Sequence, residues 1–493
     1  MKCFTSTWFP ESLLARSYER LRRDTDALPI DVFRILVGLL SFAYFLSLLQ
    51  QTADFSSPDG LLDHDLLYRM YWFTRLGLFH PGLASTWLFY TVFTLACLGC
   101  WGVILGYHPK LFAGVLFVIA VSTYRWNFIV MYVDDAIMHL MLFWLLLLPV
   151  GQTLTLSGMW FEKQSCWTHW RHCRVPGMSV RCLVGNVCLV YLVAGLWKFE
   201  SPMWHDGTAV YATLRLPIAR MSEFWGPEHL PWLRVANYGA LVVEPALPVL
   251  LLLRRGHPLK WLGLAAQLSF HLGIIATLRI PYANVALMAT AVLFFRDEIM
   301  SGIFGRREVV PLPPQVAHRD WSGRLALALL ICLSLAMMRR LPVVGIVHQP
   351  AYALLWMVGI AQDYQLFNWI DRKNFTVQYR VIATQPDGQR RTLPAKQLFP
   401  DSLRATLLQS YIHNIRWIAV PRVHRADLRR AILQRLANRF CRLHPVAGHV
   451  AAWSRVQRVH PGRKALRVRQ RLLMRFTCAE TEAIVLQTRL ERR

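Results

Sequence analysis

The stretch "CLVGNVCLVYLVAGLWKFESPMWHDG", residues 182–207, is almost continuously apolar and then meets a lysine. A helix needs about 20 apolar residues to cross hydrocarbon, so the run from Cys182 to Trp197 reads as most of one crossing with Lys198 at its end. Lys198 then has two readings. It can lay its stem along lipid and place its ammonium among the headgroups. Alternatively it is kept from water so that it gives up its proton and acts as a base.

The rest of the chain repeats the apolar theme. Of its 493 residues 55% are hydrophobic, and there are 19 Trp, 16 Tyr and 26 Phe, aromatics that membrane proteins concentrate at their interfaces. This composition, with a mean hydropathy of +0.31, moves the expectation from several soluble domains to a polytopic membrane protein. Nine apolar runs stand out, at about 32–49, 84–106, 111–124, 136–150, 182–197, 235–253, 259–277, 283–295 and 325–338. They predict an all-α membrane bundle of about nine transmembrane helices, the shorter ones tilted or only partly crossing. The first 30 residues carry Arg16, Arg20, Arg22 and Arg23 before any apolar stretch, which is unlike a cleavable signal. The first span is therefore expected to serve as the insertion signal.

Loop charge sets the expected orientation, because short cytoplasmic loops hold excess Lys and Arg. The N-terminal segment is basic, the 51–83 loop carries Asp54, Asp59, Asp63 and Asp65 against Arg69 and Arg75, and the 151–181 loop carries Lys163, Arg171, Arg174 and Arg181. These place residues 1–30 in the cytoplasm and Lys198 near the outer face. The spanning domain covers 31–340, and 341–370 reads as an interfacial or re-entrant segment, because "QPAYALLWMVGI" at 349–360 is short for a crossing.

From 371 to 493 the chain changes character, with 26 Lys and Arg against 7 Asp and Glu, so that +19 of the net +26 lies there. "FTVQYRVIATQPDGQRRTLP" alternates like two strands around an Asp387-Gly388 turn, and the residues beyond it read as short helices such as "RADLRRAILQRLANRF". The expectation is a small basic α+β domain attracted to anionic lipid headgroups. No nucleic-acid module accompanies the charge, so no specific nucleic acid is expected. Nine spans put this domain in the periplasm, and a tenth at 349–360 would put it in the cytoplasm.

The ten cysteines, at 3, 97, 100, 166, 173, 182, 188, 332, 441 and 478, suggest no disulfide framework, and several fall in apolar spans where a thiol is a small hydrophobe. "CWTHWRHC", Cys166 to Cys173, sets His169 and His172 between two thiols, yet its spacing matches no structural zinc pattern. No metal is expected.

"AGLWKFESPMWHDG" at 194–207 resembles the segment around the catalytic lysine of vitamin K-dependent gamma-carboxylases and of the bacterial horizontally transferred transmembrane (HTTM) family. "LACLGCWGVILGY" at 95–107, "YRWNFIVMYVDDAIMHLMLFWLLLLP" at 124–149 and "FHLGIIATLRIPYANVALMATAVLFF" at 270–295 resemble the same family in the same order, covering roughly residues 30 to 400. The resemblance implies that Lys198 deprotonates a reduced, vitamin K-like quinone. Reaction with O2 then yields a stronger base, which removes a proton from the gamma carbon of a glutamate in a peptide substrate, and CO2 adds. His271 matches a histidine held near the same site. Where the carboxylases carry Trp-Asn-Asn-His this chain has Trp126-Asn127-Phe128-Ile129, with Asp134 and Asp135 shortly after.

Lys198 and His271 are thus the expected catalytic residues, and Glu244, Trp126, Asn127, Asp134 and Trp204 the expected binding or supporting ones. Glu244 lies inside "ALVVEPALPVLLLL", where an ionised carboxylate is costly and serves either a site or an interhelical partner. Pro245 and Pro248 free backbone carbonyls beside it. His139 reads as a satisfied histidine of the bundle, and the two aspartates as either site residues or a hydrated helix N-terminus. A non-catalytic transporter or binding scaffold of the same fold is the alternative to an enzyme of the bacterial inner membrane.

Overall fold

The computed structural model describes residues 11–156, 170–171, 173–305, 321–338, 345–361, 367–368, 370–371, 374–385, 387–399, 426–444, 448–459, 468–479 and 482–487. Within them the chain is mostly helical, with a small sheet near the C-terminus. The helices that place the site are α1 (Leu28–Gln50), α2 (Thr86–Ile104), α3 (Pro109–Trp126), α4 (Val133–Leu147), α5 (Met178–Lys198), α6 (Leu230–Leu251), α7 (Pro258–Thr277), α8 (Pro281–Ala289), α9 (Trp321–Met337) and α10 (Gly345–Val358). A helix lies over each of the nine apolar runs. Among the described residues, α1, α2, α5 and α7 are long and apolar enough to cross a membrane by length and composition.

Most of these helices start where the local sequence favours a start. Pro occupies the first turn of α1, α3, α6, α7 and α8, where its missing N–H costs nothing. Ser85 caps α2 by accepting from Leu88 N–H. The distribution of polarity is inverted relative to a soluble protein. The buried residues of α7 are Lys260, Gly263, Gln267 and His271, while Trp261, Leu262, Leu268 and Leu272 on its other faces are exposed. Such a helix is stable when its surroundings are apolar and its polar side chains find partners inside.

At the end of the bundle away from Lys198, Asp31 and Arg34 form a fully buried ion pair at 2.9 Å. Asp31 also accepts from the N–H groups of Gly151, Gln152 and Thr153 and from the Thr153 hydroxyl, at 2.6 to 3.0 Å. Arg34 donates to the carbonyls of Ile104 and Leu154, both at 2.8 Å. One turn of α1 thereby ties down the end of α2 and the segment following α4.

The C-terminal region is an antiparallel five-stranded sheet of order β2-β1-β3-β4-β5, with β1 Phe375–Thr384, β2 Arg390–Leu393, β3 His449–Arg458, β4 Arg469–Ala479 and β5 Glu482–Gln487. The first two strands form a hairpin around Gly388, whose φ of +85° suits glycine. The expectation of short helices beyond it holds for "RADLRRAILQRLANRF", which lies in α11 (Ala426–Leu443), packed on the sheet. It needs correction further on, where β3 and β4 are strands whose exposed arginines hide the inward alternation of Val450, Ala452 and Ser454. A second correction concerns the cysteines, since Cys441 of α11 and Cys478 of β4 form a disulfide. Arg435 of α11 donates to the carbonyls of Pro58 and Gly60, and Arg439 pairs with Asp54. The domain is held against the same face of the bundle as the 51–83 loop.

Replacing Asp31 by Ala would leave Arg34 buried without its carboxylate and three N–H groups without an acceptor. We expect destabilisation of about 3–5 kcal/mol, read as a lowered unfolding temperature of the detergent-solubilised protein.

Candidate functional site

Tyr191, Ala194 and Lys198 recur at helical spacing and lie on one face of α5. On α6 the spacing Leu233, Asn237, Leu241, Glu244 marks the buried face. The two helices meet at Gly195, where a Cβ would fall 2.7 Å from Pro245 Cδ. A larger residue there would push Lys198 and Glu244 apart. Lys198 Nζ forms an ion pair with Glu244 Oε2, the side chains being 3% and 5% exposed, and Nζ also donates to the Ala194 carbonyl at 3.3 Å. The Trp204 ring lies over the ammonium, 5.3 Å from Nζ to its centroid, within reach of a cation–π attraction. Trp204 is itself fixed, donating through Nε1 to the Phe367 carbonyl at 3.1 Å while its own carbonyl accepts from Asn237 Nδ2 at 2.8 Å.

Lys198, Glu244, Trp204 and His271 line one cavity of about 360 Å³, whose remaining wall is mainly apolar. That volume suits a small-molecule site, for which about 300–1,000 Å³ is usual. His271 Nε2 lies 2.7 Å from the Tyr191 hydroxyl, and His271 Nδ1 lies 2.7 Å from Asn284 Oδ1. Asn284 Nδ2 donates to the Ile280 carbonyl at 2.6 Å, which points Oδ1 at the imidazole. Gln267 Nε2 donates to the Tyr191 oxygen at 3.0 Å. The network therefore runs one way: Tyr191 donates to Nε2, and Nδ1–H donates to Asn284. Both ring nitrogens are engaged, so His271 reaches a ligand only through Tyr191.

The other expected residues lie elsewhere. Trp126 and Asn127 do not line this cavity, which corrects the expectation that they support it. Trp126 donates to the Ser56 carbonyl and Asn127 Nδ2 to the Ser56 hydroxyl, both at 2.9 Å, so they anchor the 51–83 loop at the end of α3. Asp134 is also outside the lining, although its neighbours Val133 and Ile137 belong to it. Its Oδ1 accepts from Ala283 N–H at 2.6 Å, making it a cap for the first turn of α8. Asp135 accepts from Tyr132 N–H and caps its own helix. His139 makes a hydrogen bond to the Gly359 carbonyl at 3.2 Å. Cys166, His169 and His172 lie outside the described residues. Sequence reasoning missed Tyr191, Gln267 and Asn284, although Gln267 and His271 are four apart and Tyr191 and Lys198 seven apart, spacings that place each pair on one helix face.

His64, in the 51–83 loop, stacks on Trp126 with ring centroids 4.2 Å apart and meets Asn127 Oδ1 at 3.1 Å. Burial is the main cause holding its imidazole down at about 4, helped by the nearby Arg435 and opposed by the Asn127 bond and by Asp63. The folded protein thus keeps His64 neutral, while the unfolded chain takes up a proton below about 6.5. Stability is fully present above that pH and lost as pH falls from about 6.5 to about 4, by about 3 kcal/mol in all. A His64→Phe variant should show a correspondingly flatter acid limb in unfolding temperature against pH.

A buried amine paired with a carboxylate in an apolar wall can exchange one proton between them and with a ligand. No protein-family model matches the chain, and comparison with characterised proteins and with solved structures finds no match. The pair makes its own energetic prediction. Lys198→Met should destabilise the protein by about 3–5 kcal/mol by stranding a buried carboxylate, whereas Lys198→Met with Glu244→Leu should recover most of the loss. Thermal unfolding of the four members of the cycle measures this coupling.

Proposed function

We propose that the protein is a membrane enzyme of the gamma-carboxylase-like HTTM kind, in which Lys198 removes a proton from a reduced quinone to drive an oxygen-dependent modification of a peptide or other substrate. The observation that carries the reading is the Lys198–Glu244 pair set in the wall of an apolar cavity. A planar aromatic head suits such walls, and its hydroxyl suits the one ion pair in them. When bound, a reduced quinone supplies, with O2, the strong base that abstraction of a proton from carbon demands, and CO2 is the electrophile in the carboxylase case.

The chain's own part follows from its geometry. Passing a proton from Lys198 Nζ to Glu244 Oε2 removes two charges from an apolar site at once, and the neutral amine then has a lone pair for a ligand hydroxyl. Trp204 stabilises the ammonium that results. Tyr191, fixed by Gln267 and His271, holds the wall beside the amine and is a positioning residue.

In this reading all nine helices over the apolar runs cross a bacterial inner membrane with the N-terminus in the cytoplasm. The C-terminal domain shares its face with the 51–83 loop and lies in the periplasm, where a disulfide such as Cys441–Cys478 persists. Its basic surface attracts anionic headgroups. A non-catalytic scaffold is the second reading, favoured by the fact that Lys198 and Glu244 satisfy each other and His271 is fully bonded.

Oxygen-dependent consumption of reduced quinone by the purified protein in lipid separates the two. We expect wild-type turnover and none in Lys198→Arg, because guanidinium does not release its proton in proteins. We also expect partial recovery of Lys198→Ala by small amines. Wild-type rates in Lys198→Arg would end the base assignment, and no consumption by any form would favour the scaffold.

A further inference from the structure

We propose that the Lys198 cavity opens sideways between α6 and α7 and that its occupant is a lipid-dissolved aromatic alcohol, head at Lys198 and Glu244, with a long apolar tail leaving through the seam. The identity of the head rests on the function proposed above; the opening rests on helix geometry alone. At the end away from Lys198 the helices touch, since a Cβ at Gly263 would fall 2.7 Å from Leu250 Cβ. Toward the Lys198 end no such contact closes the seam at Gly239 or Gly273, where a Cβ would meet nothing within 4 Å.

Ala236, Ser269 and Gly273 line the cavity and are exposed. Ser269 is two residues from both Gln267 and His271, which mark the buried face of α7, so it lies on the opposite side of the helix and the cavity reaches the outer surface there. These positions are four to eight residues from the ends of α6 and α7, so the mouth lies about 6–12 Å along the helices from those ends, within their apolar length. Around it the exposed side chains include Trp232, Val235, Val242, Leu268 and Leu272, a rim that suits hydrocarbon.

On the water side the cavity is roofed by Trp204, Trp225 and Phe367. A ligand with a tail longer than the cavity therefore has room for it in the seam.

The test uses full-length protein in nanodiscs and two probes: long-chain menaquinol and tail-less menadiol. Ala236→Leu and Gly273→Leu, on opposite walls of the mouth, fill it without touching Lys198 or Glu244; Leu272→Trp, exposed beside it, is the control. We expect the two mouth variants to weaken menaquinol binding about tenfold or more, to leave menadiol binding within about twofold, and the control to change neither. Independently, a long-chain alkyl diazirine dissolved in the bilayer should label Ala194 and Ile274 in wild type and lose that label in the mouth variants. Labelling of the cavity by the diazirine with no binding of either quinol would sustain the opening while ending the quinol reading. Equal effects on both quinols, or no diazirine label inside the cavity in wild type, would overturn the lateral mouth. Either mouth variant alone suffices if the other fails to fold, as judged by its unfolding temperature.

Discussion

The structure depends on one constraint, that polar side chains sunk among apolar helices have to be satisfied from within. Of the four described helices long and apolar enough to cross a membrane, three carry Asp31, Arg34, Lys198, Lys260, Gln267 and His271 in buried positions. Left alone, each would cost several kcal/mol. Their partners lie on other elements: Asp31 holds the segment after α4, Lys198 meets Glu244 of α6, and Lys260 meets Glu298 at 2.8 Å. Hydrophobic contact between such helices is tolerant of sliding and rotation, because one apolar side chain replaces another at small cost. A buried pair is not tolerant, since a one-turn slip strands both charges. The polar pairs therefore fix the register that apolar packing leaves free.

The two best-buried pairs divide structure from chemistry. Around Asp31 the acceptor capacity of the carboxylate is filled by Arg34, three backbone N–H groups and a hydroxyl, leaving nothing to offer a ligand. Lys198 has Glu244, one carbonyl and an aromatic face, and it borders a cavity. A saturated pair is a rivet. A sparsely coordinated pair beside empty space is where a proton has somewhere to go. Lys198 lies at the C-terminal end of α5, where the helix dipole favours a positive charge.

Much of this was legible in the sequence where the physics is local. Apolar runs predicted helices because backbone groups without water have no other way to pair. Lys198, Glu244 and His271 stood out because ionisable groups inside apolar runs are expensive, and the structure sets them around one cavity. What the sequence hid was direction. Trp126 and Asn127 follow an apolar run just as Lys198 does, yet they turn toward the 51–83 loop, since nothing in a one-dimensional pattern says which neighbour a helix end faces. Asp134 caps α8, a helix far ahead in the chain. The disulfide was hidden because Cys441 and Cys478 are separated by 37 residues and share no motif. The strands β3 and β4 were masked by arginines on their exposed faces.

The C-terminal domain is part of the site's architecture and not an appendage. Met203 N–H donates to Asp371 at 2.9 Å, Asn374 Nδ2 donates to Met203 Sδ at 3.1 Å, and Trp204 hangs from the Phe367 carbonyl. Asn374 in turn accepts, through its carbonyl, the Val459 N–H at the end of β3. A line of hydrogen bonds thus runs from the sheet to the ring that covers Lys198. From below, Asn237 of α6, two turns from Glu244, holds the carbonyl of the same tryptophan. The ring is clamped between the bundle and the domain above it, so a displacement of the domain moves Trp204 off the ammonium and lets water reach the ion pair. Water would weaken the attraction between the charges and also remove the penalty on separating them. In the reading proposed above, a closed roof keeps solvent from taking the proton that amine, carboxylate and ligand would share.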